Sequence, residues 1–372
     1  MKKPDFDSVL ASLRTVNDPD LKKDLVTLNM VRDLKVFEDG KVAFRIVLTT
    51  PACPLKEQIK EEATRAVKAV SGVSAVEITM DAEVRRAGPG ASANLSGGIP
   101  GIAHIIAVSS GKGGVGKSTV SVNLATSLAL EGARVGLLDA DIYGPNIPTM
   151  MGVTENPKLY VDPEKGEMFM PPVSHNVKVM SMGFLIQGDQ PVIWRGPMLH
   201  NILNQFCTKV NWGELDYLVL DLPPGTGDVQ LSLAQMLPMT GAVIVTTPQE
   251  VALQDVRKAL NMWEKVKVPA LGVVENMSYF TGDDGKQYRI FGEGGGEMLA
   301  RKFNTSLLAQ MPLLPKIREG GDEGKPIVLK DPATDSARLF RELARKVAQE
   351  VAIRSSKTAS SPGLEIGSFG NS

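Results

Sequence analysis

The residues Gly111-Lys112-Gly113-Gly114-Val115-Gly116-Lys117-Ser118 carry the spacing G-x-x-x-x-G-K-[ST]. An apolar run precedes them and a helix-forming stretch, residues 119–130, follows. Gly111, Gly113, Gly114 and Gly116 allow backbone N–H groups to turn inward around an anion. A helix starting near Lys117 would add the positive end of its dipole. In that arrangement Lys117 neutralises β- and γ-phosphates, Ser118 offers a hydroxyl to Mg²⁺, and Thr119 bonds an α-phosphate oxygen. Lys112 is a second cation in the same loop. It reads either as a solvated charge or as a group that acts on the nucleotide of a facing copy. The second alternative implies a homodimer with nucleotide between its subunits.

Carboxylates follow where phosphoryl transfer needs them. Residues 135–139 form an apolar run ending in Asp139, with Asp141 two positions on. A second such run ends at Asp221 and continues as Leu222-Pro223-Pro224-Gly225-Thr226-Gly227-Asp228. Ligands of α/β sheets bind at the carboxyl ends of strands. Asp221 is assigned to Mg²⁺ through its water shell, Asp139 to the neighbourhood of the same ion, and Asp141 to the attacking water. Gly225 and Gly227 would bring bare N–H groups to the γ-phosphate and sense its loss. Asn276 follows a further apolar run, and its amide carries both the donor and the acceptor that a purine edge requires; a turn asparagine is the other reading.

The elements that must position these groups come from periodicity. Residues 104–109, 135–139, 217–221, 242–246 and 271–276 are short, continuous apolar runs that alternate with helical stretches. They predict an α/β fold, a mostly parallel sheet covered by helices on both faces, over residues 102–353. An amphipathic helix with Leu339, Leu343, Val347 and Val351 on one stripe ends it. A small α+β domain is expected over residues 1–85. It has a helix at residues 6–13, strands at 30–37, 42–49 and 73–80, and a helix at 53–70 with Pro54 in its first turn. The small-residue stretch 86–101 reads as a linker, and 354–372 as a disordered polar tail.

With Lys+Arg 41 against Asp+Glu 42, the net charge of -1 excludes a strongly basic nucleic-acid binder. No apolar run is long enough for a membrane span, and the acidic N-terminal residues do not fit a signal or transit peptide. Cytoplasm is the expected location, or an organelle interior after presequence removal. Two cysteines, Cys53 and Cys207, exclude a disulfide scaffold. His104, His175 and His200 lack metal-ligand spacing and are assigned no role.

Taken together these motifs resemble the MinD/ParA/nitrogenase-iron-protein class of deviant Walker A ATPases, whose signature includes Lys112 and Lys117. Several segments narrow the likeness: Asp139 through Pro148, Trp194-Arg195-Gly196-Pro197-Met198, Trp212 through Tyr217, Asp221 through Asp228, Thr247-Pro248-Gln249 and Glu275-Asn276-Met277-Ser278. They are similar to the Mrp/ApbC family of iron–sulfur cluster carrier ATPases, over about residues 100–350. The N-terminal unit, with Thr49-Thr50-Pro51-Ala52-Cys53-Pro54, is similar to the MIP18-like domain fused to many members. The resemblance implies an ATP-hydrolysing homodimer that binds a labile cluster and passes it to apoproteins, with Asp141 and Asp221 as switch acids. Many members carry C-x-x-C after the Asn-Met-Ser segment. Residues 279–292 contain no cysteine, as in the branch with cyanobacterial members and the chloroplast scaffold.

A [4Fe–4S] cluster usually takes four thiolates, and two copies of this chain together supply four. Cys53, at the start of the expected helix, would have its thiol pKa lowered by the dipole. It reads either as a transient cluster ligand or as a structural cysteine. Cys207 reads more simply as a small core hydrophobe. The segment Trp194-Arg195-Gly196-Pro197 is a partner surface or a switch relay. Two alternatives to the carrier reading remain: a MinD/ParA-type dimerisation switch, and an adaptor that recruits clients without a cluster of its own. A reductase like the nitrogenase iron protein would need more cysteines in the ATPase domain than Cys207 alone.

Overall fold

The structure is a computed structural model that describes residues 3–84, 98–185 and 196–359. The N-terminal unit begins with α1 (Phe6–Leu13), capped by Asp5, whose carboxylate accepts the Ser8 N–H at 2.9 Å. The short pair β1 (Asn17–Asp18) and β2 (Lys23–Asp24) follows. Then come β3 (Val31–Val36), β4 (Lys41–Leu48), α2 (Lys56–Lys68) and β5 (Ala75–Ala82). Central β4 runs antiparallel to β3 and parallel to β5. Its alternation turns Val42, Phe44, Ile46 and Leu48 inward against Ile59, Ala63 and Val67 of α2.

The larger unit starts with β6 (Ile102–Ser110), α3 (Lys117–Leu130), β7 (Val135–Asp139) and α4 (Ile147–Met150). An excursion of β8 (Lys158–Asp162), β9 (Gly166–Met170) and β10 (Val173–Ser174) leads to β11 (Val177–Ser181). Next are α5 (Gly196–Thr208), β12 (Leu215–Asp221), α6 (Asp228–Met236), β13 (Gly241–Thr246) and α7 (Glu250–Lys265). The unit closes with β14 (Ala270–Thr281), β15 (Gln287–Tyr288), α8 (Gly295–Lys302), β16 (Leu307–Pro312), α9 (Pro315–Asp322), α10 (Ile327–Lys330) and α11 (Asp335–Ala359). The order β11-β7-β12-β6-β13-β14-β16 is parallel throughout, with β10 and β15 added antiparallel.

Two cores explain the continuous apolar runs. Ile106, Val108, Leu137, Val219, Val243 and Val245 face the side covered by α3 and α11. Ile105, Ala107, Leu138, Leu218, Leu220 and Ile244 face the opposite core, shared with residues of α5, α6 and α7. Successive strand positions therefore favour apolar side chains on both faces. The sequence reading omitted β11 and β16. Lys178 interrupts the first and Gln310 the second, which removes the unbroken run that marked the others.

Two helix boundaries correct the sequence expectation. The second helix starts at Lys56 with Leu55 as its cap, so Cys53 and Pro54 precede it. The last helix runs to Ala359, six residues past 353, so residues 354–359 are helical rather than tail. Trp194 and Arg195 of the conspicuous segment lie outside the described residues, as do residue 85, residues 86–97 of the expected linker and residues 360–372.

The two units meet at the amino edge of the sheet. The hydroxyls of Thr50 and Tyr217 lie 2.9 Å apart and are buried. Ala52 is fully buried in the core beneath α3, and Gln349 of α11 donates to Asp20. Tyr217 sits near the start of β12, whose other end is Asp221. Replacing Tyr217 by phenylalanine should cost about 1 kcal/mol, because Thr50 keeps the Ala52 N–H as a donor to its hydroxyl. Urea midpoints of the two proteins check this, and equal midpoints would show that the bond does not hold the junction.

Candidate nucleotide site

The glycine loop closes the carboxyl end of β6, and α3 begins at Lys117. Gly116 has φ +84°, a left-handed conformation, and a Cβ there would collide with the Asn276 amide nitrogen. Gly111 is pressed against the backbone of Asp255 and Val256 in α7. These two contacts leave glycine as the residue that fits. Val115 anchors the loop to the core, while Gly113 and Gly114 face outward. The loop thus opens toward solvent above a buried base.

That base is a charge cluster. Lys117 is 7 % exposed, and its Nζ donates to Asp221 Oδ2 at 2.8 Å and lies 3.4 Å from Asp141 Oδ2. Ser118 donates to the same Asp221 oxygen at 2.7 Å. Ser121, one helical turn on, approaches Asp221 Oδ1 at 2.5 Å. Sheet register sets Asp221 beside Asp139 on neighbouring strands. Ser181, at the end of β11, donates to Asp139 Oδ2 at 2.8 Å, and the Asp141 N–H donates to Asp139 Oδ1 at 3.1 Å. Burial, followed by the nearby Asp221 charge, pushes the Asp139 carboxyl well above the usual range. For Lys117, burial alone lowers the pKa, but Asp221, Asp141 and Asp139 together outweigh it and raise the ammonium above its ordinary value. Asp141 turns its other oxygen to the Tyr143 N–H at 3.1 Å, which shapes the loop after β7.

Sequence reasoning named Lys117, Ser118, Asp139, Asp141 and Asp221, and the fold brings all of them together. It missed Ser121 and Ser181. Ser121 was legible as Lys117 plus four on a helix; Ser181 was hidden because β11 itself was not recognised. Lys112 stands apart. Its carbonyl accepts the Ser110 hydroxyl at 3.0 Å, and its ammonium pairs with no carboxylate among the described residues.

Asn276 does not end its strand, since β14 continues to Thr281. Pairing with β16 is irregular between Glu275 and Tyr279, and Met277 has φ 52°. This bulge turns Asn276 inward, where its amide donates to the Val115 carbonyl at 2.9 Å and staples the glycine loop. Beside it lies a cavity of about 480 Å³ lined by Thr119, Asn146, Met150, Met277, Leu313 and Ile317, among others. Its walls mix apolar side chains with the polar groups of Thr149, Asn276, Arg318 and Asp322.

Residues 101–348 match the family described as NUBPL iron-transfer P-loop NTPase. The chain belongs to that family. Residues 7–79 match a second one, described as iron-sulfur cluster assembly protein. The iron-sulfur cluster carrier protein of Synechocystis is 52% identical over 93% of this chain and 98% of its own. The chloroplastic Fe-S cluster assembly factor HCF101 of Arabidopsis thaliana is 48% identical over 92% of this chain and 64% of its own. A nucleotide-binding protein from Archaeoglobus fulgidus, solved in complex with ADP, is 39% identical with a TM-score of 0.56, covering 65% of this chain and 93% of that one.

The two cysteines of this iron-transfer P-loop NTPase are not brought together. Cys53 packs against the core of the N-terminal unit, and Cys207 lies in α5 within the core on the far side of the sheet. Among the described residues no group of three or more His, Cys, Asp and Glu side chains is arranged to hold a metal ion. Burial pushes the Cys53 thiol up to about 11, which overturns the expectation of a dipole-lowered thiol. The cause is the late start of α2 together with the cover that the fold provides. Cys207 is 4 % exposed and its thiol is pushed up to about 12 by burial, as befits a core residue. In this NTPase, alkylation of Cys53 at pH 8 should run about a hundredfold slower than that of an exposed cysteine and rise tenfold per pH unit up to about pH 11. Peptide mass spectrometry of the iodoacetamide-treated chain reads the rate. A fast reaction at pH 8 would contradict a covered thiol.

Proposed function

We propose that the chain hydrolyses Mg²⁺-ATP as a homodimer and uses the cycle to carry iron–sulfur clusters to apoproteins. The observation that carries the ATPase reading is the Lys117–Ser118–Asp141–Asp221 cluster, buried beneath a glycine loop at the carboxyl edge of the sheet. The cargo follows from kinship: the chain shares 52% identity with a protein named as an iron–sulfur cluster carrier.

The residues fit Mg²⁺. Ser118 and Asp221 place hard oxygens 2.7 Å apart, with Asp139 on the adjacent strand, and Mg²⁺ in such sites takes few protein ligands. Bound there, it would neutralise charge on the β- and γ-oxygens. Triphosphate binding draws the Lys117 ammonium from Asp221 to the β/γ-phosphates and frees the Ser118 hydroxyl. Asp141 then holds the attacking water, and its oxygen near Lys117 is the acceptor available to orient a proton. The loop N–H groups of residues 111–117 and Thr119 hold the phosphates. Gly225, with φ +93°, shapes the turn of this loop, but its N–H is held by the Ser110 carbonyl at 2.9 Å and is not the bare donor that the sequence suggested. Asn276 borders the cavity that takes the base. Lys112 reaches the nucleotide of the partner copy.

The rival membrane-switch reading needs an amphipathic helix with a free apolar face. In α11, Phe340, Leu343, Val347 and Val351 are fully or almost fully buried against the main core, so that face is already used. No described helix is long and apolar enough to cross a membrane.

Of the two thiols, half-buried Cys53 at the domain junction is the better cluster ligand, and the metal would have to displace its proton. Anaerobic reconstitution of wild type, Cys53→Ser and Cys207→Ser, with iron and sulfide counted per dimer, tests this. Bound cluster that falls with Cys53→Ser and survives Cys207→Ser is expected. A wild type that takes up no iron would favour the adaptor.

A further inference from the structure

Behind the phosphate loop runs a buried chain of polar side chains that the chemistry above does not use. The Trp263 indole N–H on α7 donates to the Ser109 hydroxyl at 3.2 Å. Ser109, on β6, donates to Gln230 Oε1 at 3.2 Å, and Gln230 Nε2, on α6, donates to the Pro223 carbonyl at 2.5 Å. Ser109 and Gln230 are fully buried, and Trp263 is 1 % exposed. An indole nitrogen only donates, so the Ser109 oxygen must accept from it and pass its own hydrogen to Gln230. One amide orientation alone completes the chain, leaving the NH₂ group for Pro223. No member is left unsatisfied, which makes the arrangement rigid and the loss of one member costly.

The position of Pro223 gives this chain a function. It lies two residues after Asp221 and two before Gly225, whose N–H donates to the Ser110 carbonyl at 2.9 Å. Pro223 and Pro224 have no N–H of their own, so the start of the γ-phosphate loop is held through its carbonyl and the Gly225 N–H. The far end of the chain is α7, whose backbone at Asp255 and Val256 presses on Gly111 of the phosphate loop. Both ends of the relay therefore touch the walls of one site.

We propose that Gln230 is a positioning residue for hydrolysis. It fixes the loop of residues 222–227, which follows Asp221 and is tied to the end of β6 through the Gly225 N–H, and it passes a change in that loop to α7 through Ser109 and Trp263. This rests on the ATPase reading and goes beyond it by naming what holds the loop. Gln230→Leu keeps the volume but removes both bonds. It should lower kcat about tenfold while the KM for ATP and the calorimetric affinity for ADP stay within about twofold, because the lysine and serines of the site are untouched. Ser109→Ala keeps the bond to Pro223 and should give a smaller fall, about threefold.

The indole ¹⁵N–H resonance of Trp263, assigned with Trp263→Phe, supplies a readout that a mere filler would not move. It should shift between ADP and a non-hydrolysable ATP analogue in wild type and stay fixed in Gln230→Leu. Variants that melt earlier yet keep wild-type kcat and the indole shift would overturn the proposal. Wild type that binds nucleotide without turning it over would remove the ATPase reading instead, and the indole shift, which needs binding alone, would still judge the relay.

Discussion

Replacing Lys117 by alanine should abolish ATP turnover, lowering kcat/KM by at least about a thousandfold, since the main cationic contact to the transferring phosphate is lost. The same change should alter stability. Lys117 is almost fully buried between Asp221 and Asp141 and near Asp139. Its removal leaves these carboxylates facing one another without a counter-charge, and breaking a buried pair from one side costs about 3–5 kcal/mol. Part of that cost is relieved because burial and the Asp221 charge raise the Asp139 pKa, so this carboxyl takes up a proton more readily than an exposed one. Steady-state phosphate release and a urea titration measure the two effects on one preparation. Retained turnover would place the chemistry elsewhere, and an unchanged midpoint would mean that the cluster is not the compact ion pair described.

Lys112→Ala should lower kcat by about a thousandfold while leaving ATP affinity nearly unchanged, as when a cation supplied in trans is removed from phosphoryl transfer. Its ammonium has no acidic partner among the described residues, so no folding penalty is expected. The decisive form of the test mixes the two inactive proteins. In a two-fold dimer, a copy bearing Lys112→Ala keeps its own Lys117 and receives Lys112 from a copy bearing Lys117→Ala. Random pairing then restores about a quarter of wild-type turnover. A mixture as inactive as its components would show that Lys112 serves its own nucleotide or none.

Much of this site was readable in one dimension because its parts obey local rules. The glycine spacing, the lysine at the helix start and the acids at strand ends each announce themselves within ten residues of chain. Ser181 and Gln230 did not, since their roles depend on which strand or loop lies opposite. Asn276 was read either as a group for a purine edge or as a turn asparagine; the structure shows its amide on the Val115 carbonyl. The stapling of Val115 came only from a bulge at Met277 that no residue pattern advertises.

The cysteines mark the boundary most clearly. The identity of the sulfur atoms and the missing C-x-x-C are sequence facts, and the expectation of a low-pKa Cys53 followed correctly from a helix assumed to begin there. The helix begins three residues later, and the fold covers the thiol. Sequence by itself therefore determined the α/β class, the phosphate loop, the acids around it and the family, because those depend on residue type and near-neighbour spacing. Tertiary structure alone decided which charges pair, which thiol is covered and how the N-terminal unit meets β12. Burial and distance are properties of the packed chain, and electrostatic free energies follow both.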